Sequence, residues 1–214
     1  MDELSAKQVD VAVIGLGAMG SMALWRLAAR GAKVIGFEQF GVAHDQGSSH
    51  GESRIIRTAY FEDPRYVPLV QKSFDLWQQL EQESSTQLLT MTGALMIGLM
   101  DNPLLMGTLA SVRQHYLEHE ILSASQMLER YPTHRMSPNS IALYEKDAGF
   151  LRPEQAITAA IKRAEVLGAT VHLNMPVERL EINKSGVYLT AAGQTYHARR
   201  VIVSVGAWLG QFLP

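Results

Sequence analysis

Val9 to Gly20 reads VDVAVIGLGAMG, and this stretch decides the fold. Val9, Val11, Val13 and Ile14 predict a short apolar strand that runs straight into Gly15-x-Gly17-x-x-Gly20, with an apolar helix following to Arg30. Each glycine has its own task. Gly15 allows the tight turn off the strand, Gly17 lets the backbone approach a pyrophosphate, and Gly20 lets the helix lie close on the sheet. The helix N-terminus then presents unpaired N–H groups and a partial positive charge to phosphates.

Three spaced glycines also occur in turns of other α/β domains, so the context matters. Gly31 closes the helix, and Lys33 to Phe37 predicts a second strand ending at Glu38. An acid about twenty residues beyond the last glycine accepts hydrogen bonds from ribose hydroxyls and repels a 2′-phosphate. Strand, turn, helix, strand and acid together predict a dinucleotide site and argue against NADP.

The composition bounds the rest. The chain has 214 residues, 47% hydrophobic and 19% charged, with a formal net charge of −2. This is ordinary globular composition, enough for one large domain or two small ones. Without basic runs there is no signal for nucleic acid or an anionic membrane. No stretch approaches ~20 apolar residues, so no transmembrane helix is expected. The polar start MDELSAKQ is unlike a secretory signal, which makes the cytoplasm the expected location. The absence of cysteine removes disulfides, thiolate ligands and a thiol nucleophile.

Gln39 to Ser53 (QFGVAHDQGSSHGES) reads as a long functional loop. It leads to Arg54-Ile-Ile-Arg57, two arginines flanking two residues of buried type. A helical turn here would put both guanidinium groups on one side. Ion pairs of two surface arginines with acids such as Glu62 and Asp63 are the alternative. Tyr66 to Leu80 predicts an amphipathic helix with Pro68 in its first turn and a stripe of Val67, Val70, Phe74, Trp77 and Leu80. Leu88 to Leu99 reads as one or two strands. Asn102-Pro103 opens a helix to about Tyr116, and Ser123-x-x-Gln126 is a capping box before a short helix stopping at Tyr131-Pro132.

Ile141 to Tyr144 predicts a strand, Asp147 to Gly149 a turn, and Glu154 to Leu167 a helix closed by Gly168. Thr170 to Leu173 is a further strand. Val177 to Ile182, Val187 to Thr190 and Gln194 to His197 then form a β-meander. Val201 to Val205 is a continuous apolar run, as expected of a parallel strand buried on both faces. Among the seven histidines, His115 and His119 stand i, i+4 on an expected helix. With no third ligand they read as a solvated face, so no metal is expected.

The stretch GSSHGESRIIRTAY (Gly47 to Tyr60), followed by YVPLVQKSFDLW (Tyr66 to Trp77), resembles the monomeric sarcosine oxidase / N-methyltryptophan oxidase family. These are FAD-dependent amine oxidases of the glycine/D-amino-acid oxidase type. MTGALMIG (Met91 to Gly98), DAGFLRPE (Asp147 to Glu154) and VIVSVGAW (Val201 to Trp208) extend the resemblance over Val9 to Pro214. It implies an α/β fold: an FAD-binding Rossmann-like domain with a β-meander, plus part of an α+β substrate domain. The implied segments are 1–85 and 146–214 for the FAD domain and 86–145 for the substrate domain.

The resemblance implies that Gly15, Gly17, Gly20 and Glu38 hold the ADP half of FAD. Ser48, His50, Ser53, Arg54 and Ile55 would line the flavin, with His50 and Arg54 as candidate catalytic residues and Arg54 near the isoalloxazine. Arg57 would bind the substrate carboxylate. Val177 would sit near the adenine, and Ser204, Gly206 and Trp208 near the middle of the cofactor. The implied partners are a small N-methyl amino acid and O2, and the implied complete enzyme is a monomer. Family members continue for roughly as many residues again and carry there the oxygen-activating lysine and, in many, a flavin-tethering cysteine. The 214 residues are thus expected to be an N-terminal portion that turns nothing over alone. The opening IGLGAMG also looks like the β-hydroxyacid dehydrogenases, which makes an NAD(P)-dependent reductase the rival reading. Those would lack the Gly47 to Arg57 signature.

Overall fold

The computed structural model describes residues 8–212, which divide into two compact units. The first comprises the chain up to Ser53, Gln82–Thr86, and the chain from Arg152; the second comprises Arg54–Glu81 and Gln87–Leu151. The boundary thus falls at the start of the Arg54–Arg57 segment, and most of the helix after Tyr66 groups with the second unit.

The first unit is a six-stranded sheet in the order β10-β11-β12-β1-β2-β9, carrying helices α1 (Ala18–Ala28) and α5 (Pro153–Val166). Strands β1 (Val9–Ile14), β2 (Val34–Phe37) and β9 (Thr170–His172) run parallel, as a glycine turn and crossover helix dictate. Strands β10 (Val177–Asn183), β11 (Gly186–Ala191) and β12 (Gln194–Val203) form the antiparallel meander. One core gathers Ala12, Ile14, Ile35, Phe37, Leu189 and Ala198. Leu24, Trp25 and Ala28 of α1, and Ile157, Ala160 and Ala164 of α5, are buried where the two helices pack. Glu83 ties the 82–86 segment to this unit, because its Oε2 accepts from Trp25 Nε1 at 3.1 Å and from Arg163 Nε at 2.9 Å.

The expected strand at Val201 is not separate from the meander. Strand β12 is a single ten-residue strand, antiparallel to β11 and parallel to β1, with Ala198 paired to both Val187 and Val9. Nor is its apolar end buried on both faces, since Val201, Ile202 and Val203 are only half-buried. A strand joining a parallel and an antiparallel neighbour leaves no local mark at the junction.

The second unit holds two three-stranded sheets. One has the order β3-β8-β4, from β3 (Arg54–Arg57), β4 (Leu89–Met91) and β8 (Ala148–Leu151). The other has the order β5-β7-β6, from β5 (Ala94–Leu99), β6 (Glu120–Leu122) and β7 (Ser140–Glu145). Helices α3 (Pro103–His115), α4 (Ala124–Arg130) and most of α2 (Val67–Ser84) belong to the same unit. Ala59, Leu105, Leu109, Val112 and Leu143 form one core cluster, and Leu122, Met127 and Ala142 another. The helix starts obey their local signals. Asn102 Oδ1 accepts from Leu104 N–H, and both bonds of the Ser123–Gln126 capping box are made.

Arg54–Arg57 is a strand, not a helical turn, so the two arginines point to opposite faces. Ile55, expected inside, is 75% exposed, whereas Ile56 is buried. Residues 148–151 likewise form a strand where a turn was expected at Asp147 to Gly149. Gly149 is required there because a Cβ would lie 2.0 Å from the Thr90 carbonyl oxygen across the ladder. Helix α3 ends at His115 with Tyr116 in the left-handed conformation, which leaves His119 outside it and removes the i, i+4 pair.

Candidate functional site

The glycine turn is held shut from the far end of the chain. Gly15 has φ +84°, and a Cβ there would meet the Ser204 carbonyl oxygen at 2.7 Å. Ser204 follows β12, and its Oγ donates to the Gly15 carbonyl at 2.7 Å. Gly20 is tighter: a Cβ would stand 1.8 Å from the Gly15 carbonyl oxygen and 2.5 Å from Ser204 Oγ. Gly17 differs in kind. It caps α1 without a side chain, and its Cβ would find only Ser49 Oγ, at 3.9 Å. The space above Gly17 is therefore open to a ligand, and the first turn of α1 carries no acid to repel an anion.

Glu38 is 5% exposed and already at work in the protein. Its Oε2 accepts from Leu16 N–H at 2.7 Å, and its Oε1 accepts from Phe40 N–H at 3.1 Å and lies 3.5 Å from His44 Nε2. The carboxylate thereby locks the glycine turn to the end of β2, while each oxygen keeps a lone pair for a ribose hydroxyl. Glu38→Ala is expected to strip two backbone N–H groups of their acceptor and cost about 1–3 kcal/mol of stability. Thermal unfolding of the two proteins checks this; an unchanged midpoint would mean that Glu38 serves the ligand alone.

A cavity of about 270 Å³ opens over this turn. Of the residues expected at the cofactor, Gly15, Gly17, Glu38, Ser48, Val177, Ser204, Gly206 and Trp208 all line it, with apolar walls from Phe37 and Met175. The set fits an adenine nucleotide: apolar walls for a base, a carboxylate for a ribose, and a bare glycine at a helix N-terminus for phosphates. Gly20 lies beneath the cavity in the helix packing. His50, Ser53, Arg54 and Ile55 do not line it.

The loop carrying His50 and Ser53 is anchored by an acid that sequence reasoning missed. Gly51 and Glu52 have φ +99° and +66°, a turn that directs successive N–H groups onto one oxygen, Glu154 Oε1, at 2.6 and 3.1 Å. These bonds, that from Glu52 foremost, hold the Glu154 carboxyl below the usual carboxylate range. The available signal was an acid in the first turn of α5.

In the second unit Arg57 stands half-buried, its Nη2 3.3 Å from Glu62 Oε1. The guanidinium carbon lies 4.8 Å from the Tyr60 ring centre and 5.5 Å from that of Phe61. One of the suggested ion pairs is thus present, whereas Asp63 pairs with Arg65 instead. Glu62 is a partner that can be exchanged, since its side chain is 44% exposed. A planar cation walled by two rings and holding an exposed carboxylate is chemically a receptor for carboxylates. Arg54 lies exposed at the start of the same strand. Among the described residues no three His, Asp or Glu side chains gather as a metal site, and no helix is long and apolar enough to cross a membrane.

The chain is similar to several known proteins. The chain is 44% identical over 204 residues to a monomeric sarcosine oxidase of Streptomyces avermitilis, covering 95% of this chain and 53% of that protein. It is 35% identical over 205 residues to an N-methyl-L-tryptophan oxidase of Citrobacter koseri, covering 96% of this chain and 55% of the relative. The chain therefore spans about half the length of the curated relatives it matches. Among solved structures, NikD, an unusual amino acid oxidase essential for nikkomycin biosynthesis, superposes with a TM-score of 0.83 at 25% identity, covering 94% of this chain and 52% of that one. Glycine oxidase from Geobacillus kaustophilus shares the fold with a TM-score of 0.80 at 22% identity, covering 94% of this chain and 56% of that one. The family model for FAD dependent oxidoreductases matches residues 10–214, and with the glycine turn, Glu38 and the meander in place this chain belongs to that family, whose cofactor is FAD.

Proposed function

We propose that this chain supplies the nucleotide-binding and carboxylate-binding parts of an FAD-dependent oxidase of N-methyl (secondary) amino acids, such as sarcosine or N-methyltryptophan. The observation that carries the reading is Arg57, half-buried beside two aromatic rings and, among the described residues, ion-paired with the exchangeable Glu62. The two enzyme names borne by the relatives at 44% and 35% identity support the same substrate class. Overall, R–NH–CH3, O2 and water give R–NH2, formaldehyde and H2O2.

In this reading the glycine turn and the α1 N-terminus take the pyrophosphate, Glu38 a ribose hydroxyl, and Val177 packs near the adenine. Ser204, Gly206 and Trp208 flank the middle of the cofactor, and Ser48, His50, Ser53, Arg54 and Ile55 belong to its flavin end. When bound, FAD supplies the two-electron acceptor for the N-methyl carbon. Arg57 exchanges Glu62 for the substrate carboxylate, and its two-pronged fork fixes how the amine end is presented. Tyr60 and Phe61 cover the guanidinium and keep water from competing for it.

The test is incubation of the full-length, FAD-loaded protein with N-methyl amino acids under air, assaying formaldehyde and H2O2. Equal amounts of both products are expected. If neither sarcosine, N-methyltryptophan nor any other N-methyl amino acid bleaches the flavin anaerobically, the reading is wrong.

A further inference from the structure

Glu145, the last residue of β7, is a buried carboxyl for which the reaction above has no use. It is 3% exposed. Its Oε2 accepts from Thr58 N–H at 3.2 Å and from Ala59 N–H at 2.9 Å. These are the two residues that follow Arg57. The β3–β8 ladder ends at the Arg57–Ala148 pair, so beyond it the chain has no strand partner. Glu145 takes over where the ladder stops. Thr58 Oγ1 adds a bond to the Asp147 carbonyl at 2.7 Å, on the turn that leaves Glu145.

From the other side the same segment rests on α3. Ser111 Oγ donates to the Tyr60 carbonyl, and a Cβ on Gly107 would stand 2.1 Å from the Phe61 carbonyl oxygen. Residues 58–61 are thus clamped between Glu145 and α3, and they carry both rings that flank the Arg57 guanidinium. Stability alone does not explain the clamp. Glu145 Oε1 and Arg57 Nε are both buried without a hydrogen-bond partner. Burial pushes the Glu145 carboxyl up, against the Ala59 and Thr58 N–H groups and the Arg57 charge, which pull it down. Holding two backbone N–H groups contributes stability, but a buried carboxyl with one oxygen left unpartnered carries a desolvation cost that a neutral acceptor would not.

We propose that Glu145 is a positioning residue for carboxylate recognition: by pinning the backbone just after Arg57, it sets where the guanidinium and its two aromatic walls stand. The proposal rests on the reading of Arg57 as the carboxylate receptor. It requires that the effect of Glu145 on ligand pass through Arg57, which a general role in folding does not.

The experiment uses the full-length, FAD-loaded enzyme at matched flavin content, with propionate as a carboxylate probe followed by calorimetry and an N-methyl amino acid as substrate. Glu145→Ala is expected to raise the propionate Kd and the substrate KM about tenfold while leaving kcat within about a factor of two. Glu145→Gln keeps an acceptor oxygen for the two N–H groups and should recover most of the loss. In an Arg57→Gln background Glu145→Ala should add nothing further.

An equal loss in both backgrounds would overturn the proposal. So would a lowered Tm with unchanged Kd and KM, the signature of a structural role alone. Should Glu145→Ala fail to fold, Glu145→Asp decides: it keeps the charge but is one methylene short, and a wild-type Kd in it would overturn the proposal. If Arg57→Gln alone leaves propionate binding intact, the reading of Arg57 fails first and the role of Glu145 falls with it.

Discussion

Gly17→Ala is expected to leave the folded apoprotein within about 0.5 kcal/mol of wild type and to weaken FAD binding roughly a hundredfold. The reason is the contrast between neighbouring glycines. Gly17 has an ordinary φ of −65°, and its Cβ would meet nothing nearer than Ser49 Oγ at 3.9 Å. The protein has room for the methyl group, and the pyrophosphate would then be denied its approach. Gly20→Ala should do the reverse. Its Cβ would stand 1.8 Å from the Gly15 carbonyl oxygen, so the backbone must move and the fold should lose about 1–3 kcal/mol or more. Thermal unfolding of the apoproteins, with FAD titrated into each, separates the two effects. A Gly17→Ala protein that binds FAD normally would move the pyrophosphate away from this turn.

Arg57→Gln should raise KM for an N-methyl amino acid roughly a hundredfold, or about 3 kcal/mol, through loss of a two-pronged charge-assisted pair. Arg57→Lys should recover little, because a compact ammonium lacks the planar fork and stacks poorly between Tyr60 and Phe61. An N-methyl amine without a carboxylate should be oxidised equally poorly by all three proteins. Steady-state kinetics on the paired substrates is the check. Equal losses with both substrates would mean that Arg57 acts on the reaction centre rather than on the carboxylate.

The nucleotide half of the site was legible in the chain because its determinants are local. Strand β1, the glycines, α1 and Glu38 lie within about thirty residues, each read from periodicity or from a backbone demand that few residues meet. The same holds for Asn102, Ser123 with Gln126, and Gly168, which act on the nearest turn of helix. Val177 and Ser204 are different. Periodicity placed them on or beside strands, but only the resemblance to a family assigned them to the cofactor. What brings Ser204 to Gly15 is the pairing of β12 with β1, and the meander carries Val177 to the same cavity.

The arginine half was legible only as residue types. Arg54-Ile-Ile-Arg57 is too short to show a period, so a helical turn and a strand fit it equally. The choice belongs to β8, which lies some ninety residues further along and pairs with it. That pairing turns Ile55 outward and sends the two arginines to opposite faces. The sequence does not single out Glu145 or Glu154 for the same reason, since the N–H groups they hold belong to segments distant in sequence.

By itself, then, the sequence determined the glycine turn and the helix starts, because propensity, capping and glycine geometry act within a few residues. Only the tertiary structure decided the backbone of Arg54–Arg57, the single long β12 and the carboxylates that buttress each loop. Strand pairing and buried hydrogen bonds join segments whose separation along the chain carries no local signal.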